Sequence, residues 1–197
     1  MKVVLASSNP GKIREFSEIL DPLHIELLPQ SEFGVQDAEE TGLSFVENAI
    51  IKARHAAKLT GLPAIADDSG LAVDALNGEP GIYSARYAGV HANAKDNIDK
   101  LLNNLQNIPD EKRQASFHCL LVFMLHELDP NPLICDGEWK GMILREAKGD
   151  KGFGYDPVFY VPSEKMTAAE LPSDIKNKIS HRGIAIQSLL KMLPGKL

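Results

Sequence analysis

Two adjacent carboxylates, Asp67 and Asp68, follow the apolar residues 64–66 and precede the small pair Ser69-Gly70. An apolar run that ends in acids and small residues is typical of a strand that delivers carboxylates to a binding site and then turns. Successive strand side chains face opposite sides, so we expect only one acid, Asp68, to face a ligand. The stretch alone fits an alternative equally well, in which both acids are solvated loop residues.

A cation and a polar loop occur near the start of the chain. Residues 2–7 predict a strand, residues 8–11 predict a turn, and residues 12–20 have helical spacing with Pro10 suited to the first helical turn. Backbone N–H groups, a helix N-terminus and Lys12 would together suit an anion such as a phosphate. The segment lacks GxxxxGK[ST], so it is not a Walker A loop, and an ordinary capped helix start stays open as the alternative.

A glycine-rich segment, KGDKGFGYDPVFYVP, occupies residues 148–162. Its glycines allow a tight loop whose backbone can approach a ligand closely. Phe153, Tyr155 and Asp156 add two aromatic rings and a hydrogen-bond acceptor. Such a loop can stack a planar ring, but a glycine-rich hairpin with aromatic residues in the core fits equally well. The segment is not GxGxxG, which gives little support to a dinucleotide fold.

Positive groups precede the last predicted helix, over residues 185–193. Ser180 would cap this helix, with His181 and Arg182 in its first turn. Positive charge at a helix N-terminus is unfavourable, so these two residues indicate an anionic or electron-rich ligand nearby.

Composition limits the classes of protein. The 197 residues suit one large domain, over residues 1–197, or two closely packed lobes. A net charge of -6 argues against a nucleic-acid coat, and no apolar run is long enough to span a membrane. Cys119 and Cys135 form no CxxC pair, so we expect two reduced thiols in a cytoplasmic protein.

The remaining pattern predicts the elements that would position these groups. Lys52 falls on a predicted helix, where most cations are simply solvated. Glu40 lies ahead of that helix, where an acid favours the dipole, so a metal-binding role for it needs other support. Further strands are predicted over residues 24–28 and 114–125, and residues 133–138 and 139–145 are predicted to form a hairpin around Gly137. Further helices are predicted over residues 44–59, 93–105 and part of 166–178.

In combination, six ordered segments resemble the inosine triphosphate pyrophosphatase family of XTP/dITP diphosphatases, above all its bacterial members. The resemblance covers nearly the whole chain. The segments are Ser7-Ser8-Asn9-Pro10-Gly11-Lys12, Glu47-Asn48-Ala49-Ile50-Ile51-Lys52-Ala53, Ala66-Asp67-Asp68-Ser69-Gly70-Leu71, Pro80-Gly81-Ile82-Tyr83-Ser84-Ala85-Arg86-Tyr87, Gly152-Phe153-Gly154-Tyr155-Asp156-Pro157 and Ser180-His181-Arg182-Gly183.

The resemblance implies Mg²⁺-dependent hydrolysis of dITP, ITP and XTP at the α–β bond, which gives a monophosphate and pyrophosphate. Such an enzyme removes deaminated purine nucleotides from the cytoplasmic pool. The implied fold is α/β, with a long, mixed, twisted sheet flanked by helices and two lobes around a central substrate cleft. The implied assembly is a homodimer.

The resemblance also assigns roles to residues. Asp68 would be catalytic by orienting a water and would hold Mg²⁺ together with Glu40. Phe153 would stack the purine, and His181 and Arg182, with Asp156, would read its edge. A donor aimed at the six-oxo oxygen would reject adenine. The implied substrate-binding residues are Ser7, Ser8, Asn9, Pro10, Gly11, Lys12, Lys52, Ser69, Phe153, Gly154, Tyr155, Asp156, Lys176, His181 and Arg182.

Two departures from the family pattern are visible. Ile184 stands where many members carry lysine, and Pro172 precedes Lys176, which leaves the placement of that lysine less certain. The alternative function is a non-catalytic purine nucleotide sensor on the same fold. Such a sensor would be expected to have lost Asp68 or Glu40, and both are present.

Overall fold

A seven-stranded mixed sheet runs through the protein in the order β2-β1-β3-β4-β5-β6-β7 in the computed structural model, which describes residues 1–20 and 25–196. Strand β1 is parallel to β2 and β3, whereas β6 is antiparallel to β5 and β7. The predicted mixed α/β sheet is therefore confirmed. The strands are β1 (Lys2–Leu5), β2 (Glu26–Pro29), β3 (Ala64–Val73), β4 (Gln114–Met124), β5 (Leu133–Ile143), β6 (Phe159–Val161) and β7 (Met166–Thr167).

Five α-helices accompany this sheet in the described residues: α1 (Pro10–Leu20), α2 (Phe45–Thr60), α3 (Ala94–Asn104), α4 (Ser173–Ile179) and α5 (His181–Met192). Their starts follow from capping side chains. Ser44 accepts a hydrogen bond from the N–H of Glu47, and Asn93 forms a reciprocal capping box with Asp96. Pro10 is the first residue of α1, as predicted.

The chain forms two compact units, each with its own buried core. Unit 1 comprises Met1–Asp68, Cys119–Gly137 and Arg182–Leu197, and unit 2 comprises Ser69–His118 and Glu138–His181. One core cluster of unit 1 combines side chains from β1, α1, β4 and α5, and alanines of α2 line another. Unit 2 has a core rich in aromatic rings. The central cleft stays a prediction.

The turn predicted at Ser69-Gly70 is wrong, because β3 continues without interruption to Val73. Every residue of this strand is buried except Ser69 and Ala72, which are half-buried. Apolar residues that are buried on both sides of the small pair keep the segment extended, so the pair lies inside the strand and not at a reversal.

The hairpin predicted around Gly137 is also wrong, since β5 is one strand of 11 residues. Buried and more exposed residues alternate along it, which is the period of a half-covered strand. Gly141 shows why glycines occur here: a Cβ at this position would lie 2.5 Å from the carbonyl oxygen of Tyr160 and 2.6 Å from Cζ of Phe159. Close packing against the neighbouring strand therefore requires glycine.

The strand predicted over residues 24–28 corresponds to β2, although His24 lies outside the described residues. The segment predicted as loop and helix over residues 166–178 contains β7 and α4. The last helix begins at His181 rather than at residue 185, and Ser180 lies between α4 and α5. No helix within residues 1–20 and 25–196 is both long and apolar enough to cross a membrane.

A buried carboxylate anchors the C-terminal segment of unit 1. Asp129 accepts hydrogen bonds from the N–H groups of Leu125 and Asn131, each at 3.0 Å, and from Nζ of Lys196 at 2.8 Å. Burial alone would raise the pKa of Asp129, but these three donors outweigh it and lower the pKa to about 2. The carboxylate is therefore ionised throughout the neutral range.

Candidate active site

The two adjacent acids of β3 bind different partners. Asp68 accepts a hydrogen bond from Nζ of Lys52 at 2.7 Å, and Asp67 accepts one from Nε of Arg182 at 2.7 Å and another from Nζ of Lys12. This separation agrees with the alternation of side chains along a strand. The two acids are both buried, which excludes the interpretation of a solvated loop pair.

Lys52 bridges the two carboxylates that the family resemblance assigns to a metal. Its Nζ lies 3.0 Å from Oε1 of Glu40 and 2.7 Å from Oδ1 of Asp68. The side chain of Lys52 is 11% exposed, that of Asp68 is 9% exposed and that of Glu40 is 27% exposed. The three residues form a partly closed cluster of one cation and two acids, all within unit 1.

Burial and neighbouring charges shift the protonation of this cluster. Burial opposes the charge on Lys52, but Asp68 and Glu40 outweigh it and raise the pKa of the ammonium. Burial also raises the pKa of Asp68, and Glu40 adds to that effect, while Lys52 opposes it. Asp68 is therefore a weaker acid than an exposed aspartate, and Lys52 keeps its charge.

The donor set fits Mg²⁺ that is bound together with a phosphate. Mg²⁺ usually takes one or two protein carboxylates and completes its coordination with phosphate and water oxygens. Glu40 and Asp68 supply two carboxylates, and together they already stabilise the positive charge of Lys52. Among the residues that the structure describes, no group of three or more His, Cys, Asp or Glu side chains is arranged as a metal site.

Asp67 is the centre of a second buried cluster in unit 1. Besides the ion pair with Asp67, the guanidinium of Arg182 donates to Glu15. Burial would raise the pKa of Asp67, but Arg182 and Lys12 outweigh it and hold that pKa well below its usual range. Burial likewise disfavours charge on Arg182, yet Asp67 and Glu15 raise its pKa. This cluster links α1, β3 and α5 through paired charges.

The polar loop ahead of α1 uses several of its groups internally. Oδ1 of Asn9 accepts the N–H of Gly11 at 2.9 Å and the N–H of Lys12 at 3.2 Å, so Asn9 caps the helix. Ser7 accepts the N–H of Asn9 at 3.2 Å, and Ser8 is exposed. A phosphate contact from this loop stays a prediction, and the amides of Asn9, Gly11 and Lys12 already have an acceptor.

In unit 2, the glycine-rich loop is organised around the carboxylate of Asp156. Its Oδ2 accepts the N–H of Phe153 at 2.8 Å and Nζ of Lys176 at 2.7 Å. Gly152 has a φ of +74°, and a Cβ there would lie 2.1 Å from Oδ2 of Asp156. Nζ of Lys176 is also 5.3 Å from the ring centroid of Phe153, which is a cation–π distance.

The two aromatic residues of this loop have different environments. Phe153 is half-buried, whereas Tyr155 is buried in the core and its hydroxyl donates to the carbonyl of Ser84 at 2.8 Å. Burial raises the pKa of Tyr155. Tyr155 therefore packs as a core residue, and Phe153 is the ring that remains partly accessible. Gly154 adopts a left-handed φ of +59° between them.

His181 belongs to an aromatic stack in unit 2. Its ring centroid lies 4.8 Å from that of Phe117 with an interplanar angle of 11°, and 6.3 Å from that of Trp139. His181 is buried at the first residue of α5, whereas the adjacent Arg182 belongs to unit 1. A role in reading the purine edge stays a prediction for both residues, as a substrate contact does for the half-buried Ser69.

Three residues with contacts in unit 1 received no role from sequence reasoning. Glu15 is a charged residue buried on α1, Asn48 is buried on α2 beside Asp68, and Gly42 donates its N–H to Asn48. The sequence feature that could have singled out Glu15 is its charge directly beside the apolar residue Phe16. Asn48 stands inside a segment that carries the family resemblance.

Known proteins match this chain over nearly its whole length. The Ham1 family model matches residues 3–192. Proteins named dITP/XTP pyrophosphatase from Salmonella paratyphi A and from Escherichia coli O157:H7 are each 59% identical over 192 residues, or 98% of either chain. The solved structure of a HAM1 protein from Coxiella burnetii has a TM-score of 0.90 at 56% identity and covers 99% of both chains. The chain therefore belongs to the Ham1 family.

Proposed function

We propose that this protein hydrolyses the deaminated purine nucleotides dITP, ITP and XTP to their monophosphates and pyrophosphate, and so removes them from the nucleotide pool. The relatives that are named dITP/XTP pyrophosphatase support this proposal, because they share 59% of their residues with the chain over 98% of its length. The structural observation that carries it is the cluster of Lys52, Glu40 and Asp68. Paired acids and a buried cation are what a metal–polyphosphate substrate requires.

Within this cluster, each residue has a distinct task. Asp68 accepts a hydrogen bond from the attacking water and orients it, since an aspartate is a weak base on its own. Lys52 neutralises charge on the phosphates as the bond to the leaving pyrophosphate breaks, and Lys12 adds a second cation. Arg182 is charged and buried against Asp67, which supports a role in fixing the strand that carries Asp68.

The proposed cofactor is Mg²⁺, held by Glu40 and Asp68 together with substrate oxygens. When bound, Mg²⁺ would screen the phosphate charge and lower the pKa of a bound water. The support for this cofactor is the pair of carboxylates and their spacing around Lys52.

Recognition of the base is proposed for unit 2. Phe153 would stack the purine, and Lys176 lies close to the same ring at 5.3 Å. An ammonium is a donor only, so it would pair with the six-oxo oxygen of hypoxanthine or xanthine and leave the amino group of adenine unpaired. Asp156 fixes both residues, through the N–H of Phe153 and the Nζ of Lys176.

A homodimer and a cytoplasmic location complete the proposal. The family resemblance supports both, and Cys119 and Cys135 are buried thiols that form no disulfide with each other. Light scattering during size-exclusion chromatography tests the dimer, with a mass near twice 21.5 kDa as the expected result.

The test of the proposed site is the Asp68→Asn variant, assayed with dITP and Mg²⁺ and compared with Asp136→Asn, an exposed acid of the same unit. Asp68→Asn should lose turnover and still bind the nucleotide, whereas Asp136→Asn should match the wild type. Wild-type binding of dITP without turnover would support the sensor alternative instead. Full activity of Asp68→Asn would remove Asp68 from the mechanism.

A further inference from the structure

The side chain of Asn48 connects the strand that carries Asp68 with the segment that follows Glu40. Asn48 is 0% exposed on α2. Its Oδ1 accepts the N–H of Gly42 at 2.8 Å, and its Nδ2 faces Oδ2 of Asp68 at 3.4 Å. Gly42 is two residues after Glu40, so one amide group touches both the loop that carries Glu40 and the strand that carries Asp68.

The orientation of this amide follows from chemistry. The N–H of Gly42 is a donor and requires the amide oxygen, so the NH₂ group must face Asp68. Gly42 cannot be replaced without cost, because a Cβ there would lie 2.7 Å from Oδ1 of Asn48 and 2.6 Å from Cβ of Glu47. The loop is thus held against the first turn of α2 at a fixed distance.

Lys52 stands four residues after Asn48 on α2, which places both side chains on one face of the helix. From that face, Lys52 bridges Glu40 and Asp68 by charge, while Asn48 bridges the same two segments by hydrogen bonds. Helix α2 therefore carries two side chains, Asn48 and Lys52, that each link the segments of Glu40 and Asp68. Only one of them, Lys52, is expected to contact the phosphates.

We propose that Asn48 is a positioning residue that holds Asp68 and the Glu40 loop in the arrangement that takes up a metal-bound nucleotide. This inference rests on the proposed function, since it assigns Asn48 a task within that same site. It assigns no substrate contact to Asn48.

Two substitutions separate this role from simple anchoring of the loop. Asn48→Ala removes both contacts. Asn48→Asp keeps an acceptor for the N–H of Gly42 but replaces the donor towards Asp68 by a second carboxylate. If Asn48 served only to anchor the loop, Asn48→Asp would leave the Mg²⁺ requirement close to that of the wild type, although the buried charge would lower stability. If Asn48 positions Asp68, Asn48→Asp must raise the Mg²⁺ requirement at least as much as Asn48→Ala does.

The experiment measures the Mg²⁺ concentration that gives half-maximal turnover at saturating dITP. Loss of a residue that orients a metal ligand typically weakens metal binding by about 10-fold or more, so both variants should raise this concentration by about that factor. A second readout without turnover is Mn²⁺ binding, followed by electron paramagnetic resonance in the presence of the α,β-methylene analogue of ITP, and it should weaken by a similar factor.

The matched control is Asn97→Ala. Asn97 is also a buried asparagine, and it lies in unit 2. Its amide accepts a hydrogen bond from the N–H of Ala88 at 2.7 Å and donates one to the carbonyl of Ala85 at 3.2 Å. Asn97→Ala should lower the melting temperature and leave the Mg²⁺ requirement unchanged. If both Asn48 variants fail to fold, Gly42→Ala displaces the same amide and must raise the Mg²⁺ requirement.

The outcomes are distinguishable. A Mg²⁺ requirement of Asn48→Asp within twofold of the wild type would overturn the positioning role, provided that Asp68→Asn is inactive. An Asp68→Asn variant with full activity would instead refute the proposed site itself.

Discussion

Asp156→Asn should destabilise unit 2 and weaken recognition of the base. The carboxylate of Asp156 pairs with Nζ of Lys176 at 2.7 Å, and the two side chains are 5% and 8% exposed. Asparagine has nearly the same shape and still offers an acceptor to the N–H of Phe153. The change therefore removes mainly the negative charge that the buried ammonium faces.

The size of the effect follows from this burial. Removal of one partner from a buried ion pair costs about 3–5 kcal/mol, because the remaining charge is left uncompensated. The retained hydrogen bonds place Asp156→Asn at the lower end, at about 3 kcal/mol. For a chain of this size, 1 kcal/mol corresponds to about 2–4 °C, so the melting temperature should fall by about 6–12 °C.

A double-mutant cycle with Lys176→Met is the assay. Urea unfolding gives the free energy of unfolding of the wild type, the two single variants and the double variant. The double variant should be about 2 kcal/mol more stable than the sum of the single losses predicts, because it leaves no buried charge unpaired. In kinetics with dITP, each single variant should raise KM more than it lowers kcat. Losses of stability that add within about 0.5 kcal/mol would refute the coupling.

Three further predictions concern other parts of the protein. Asp129→Asn should cost about 2 kcal/mol of unfolding free energy at pH 7, since a pKa of about 2 instead of 3.8 stabilises the folded state above pH 4. This difference from the wild type should disappear as the pH falls from 4 to 2 in urea titrations, and a constant difference would contradict the linkage to Lys196. Gly141→Ala should cost about 1–3 kcal/mol by overpacking, whereas Gly195→Ala, whose Cβ would meet nothing within 4 Å, should cost almost nothing in the same measurement. Chelation of Mg²⁺ by EDTA should abolish turnover of dITP and added Mg²⁺ should restore it, and activity in excess EDTA would contradict the proposed role of Glu40.

Local signals in the sequence were enough for most helices. Ser44 and Asn93 are polar residues directly ahead of apolar spacing, and both are helix caps in the structure. Glycine was less informative, because the same residue serves turns and close contacts. Gly141 lies inside β5 against β6, and only the position of β6 reveals why a side chain is excluded there.

The site was predictable only in part for a similar reason. Alternation along a strand predicted that Asp67 and Asp68 would face different partners, and they do. The identity of those partners depends on contacts that are distant in sequence: Arg182 is 115 residues from Asp67. Local sequence patterns carry no information on pairs that are so distant along the chain. Only the fold shows that Arg182 is buried in contact with Asp67 and Glu15.

The most direct test of the proposed activity is the identity of the products. Wild-type protein would be incubated with dITP and Mg²⁺, and the nucleotide product, pyrophosphate and orthophosphate would be assayed separately. We expect equal amounts of dIMP and pyrophosphate, with no dIDP. Formation of dIDP and orthophosphate would contradict this expectation, because cleavage would then occur at the terminal phosphate rather than at the α–β bond.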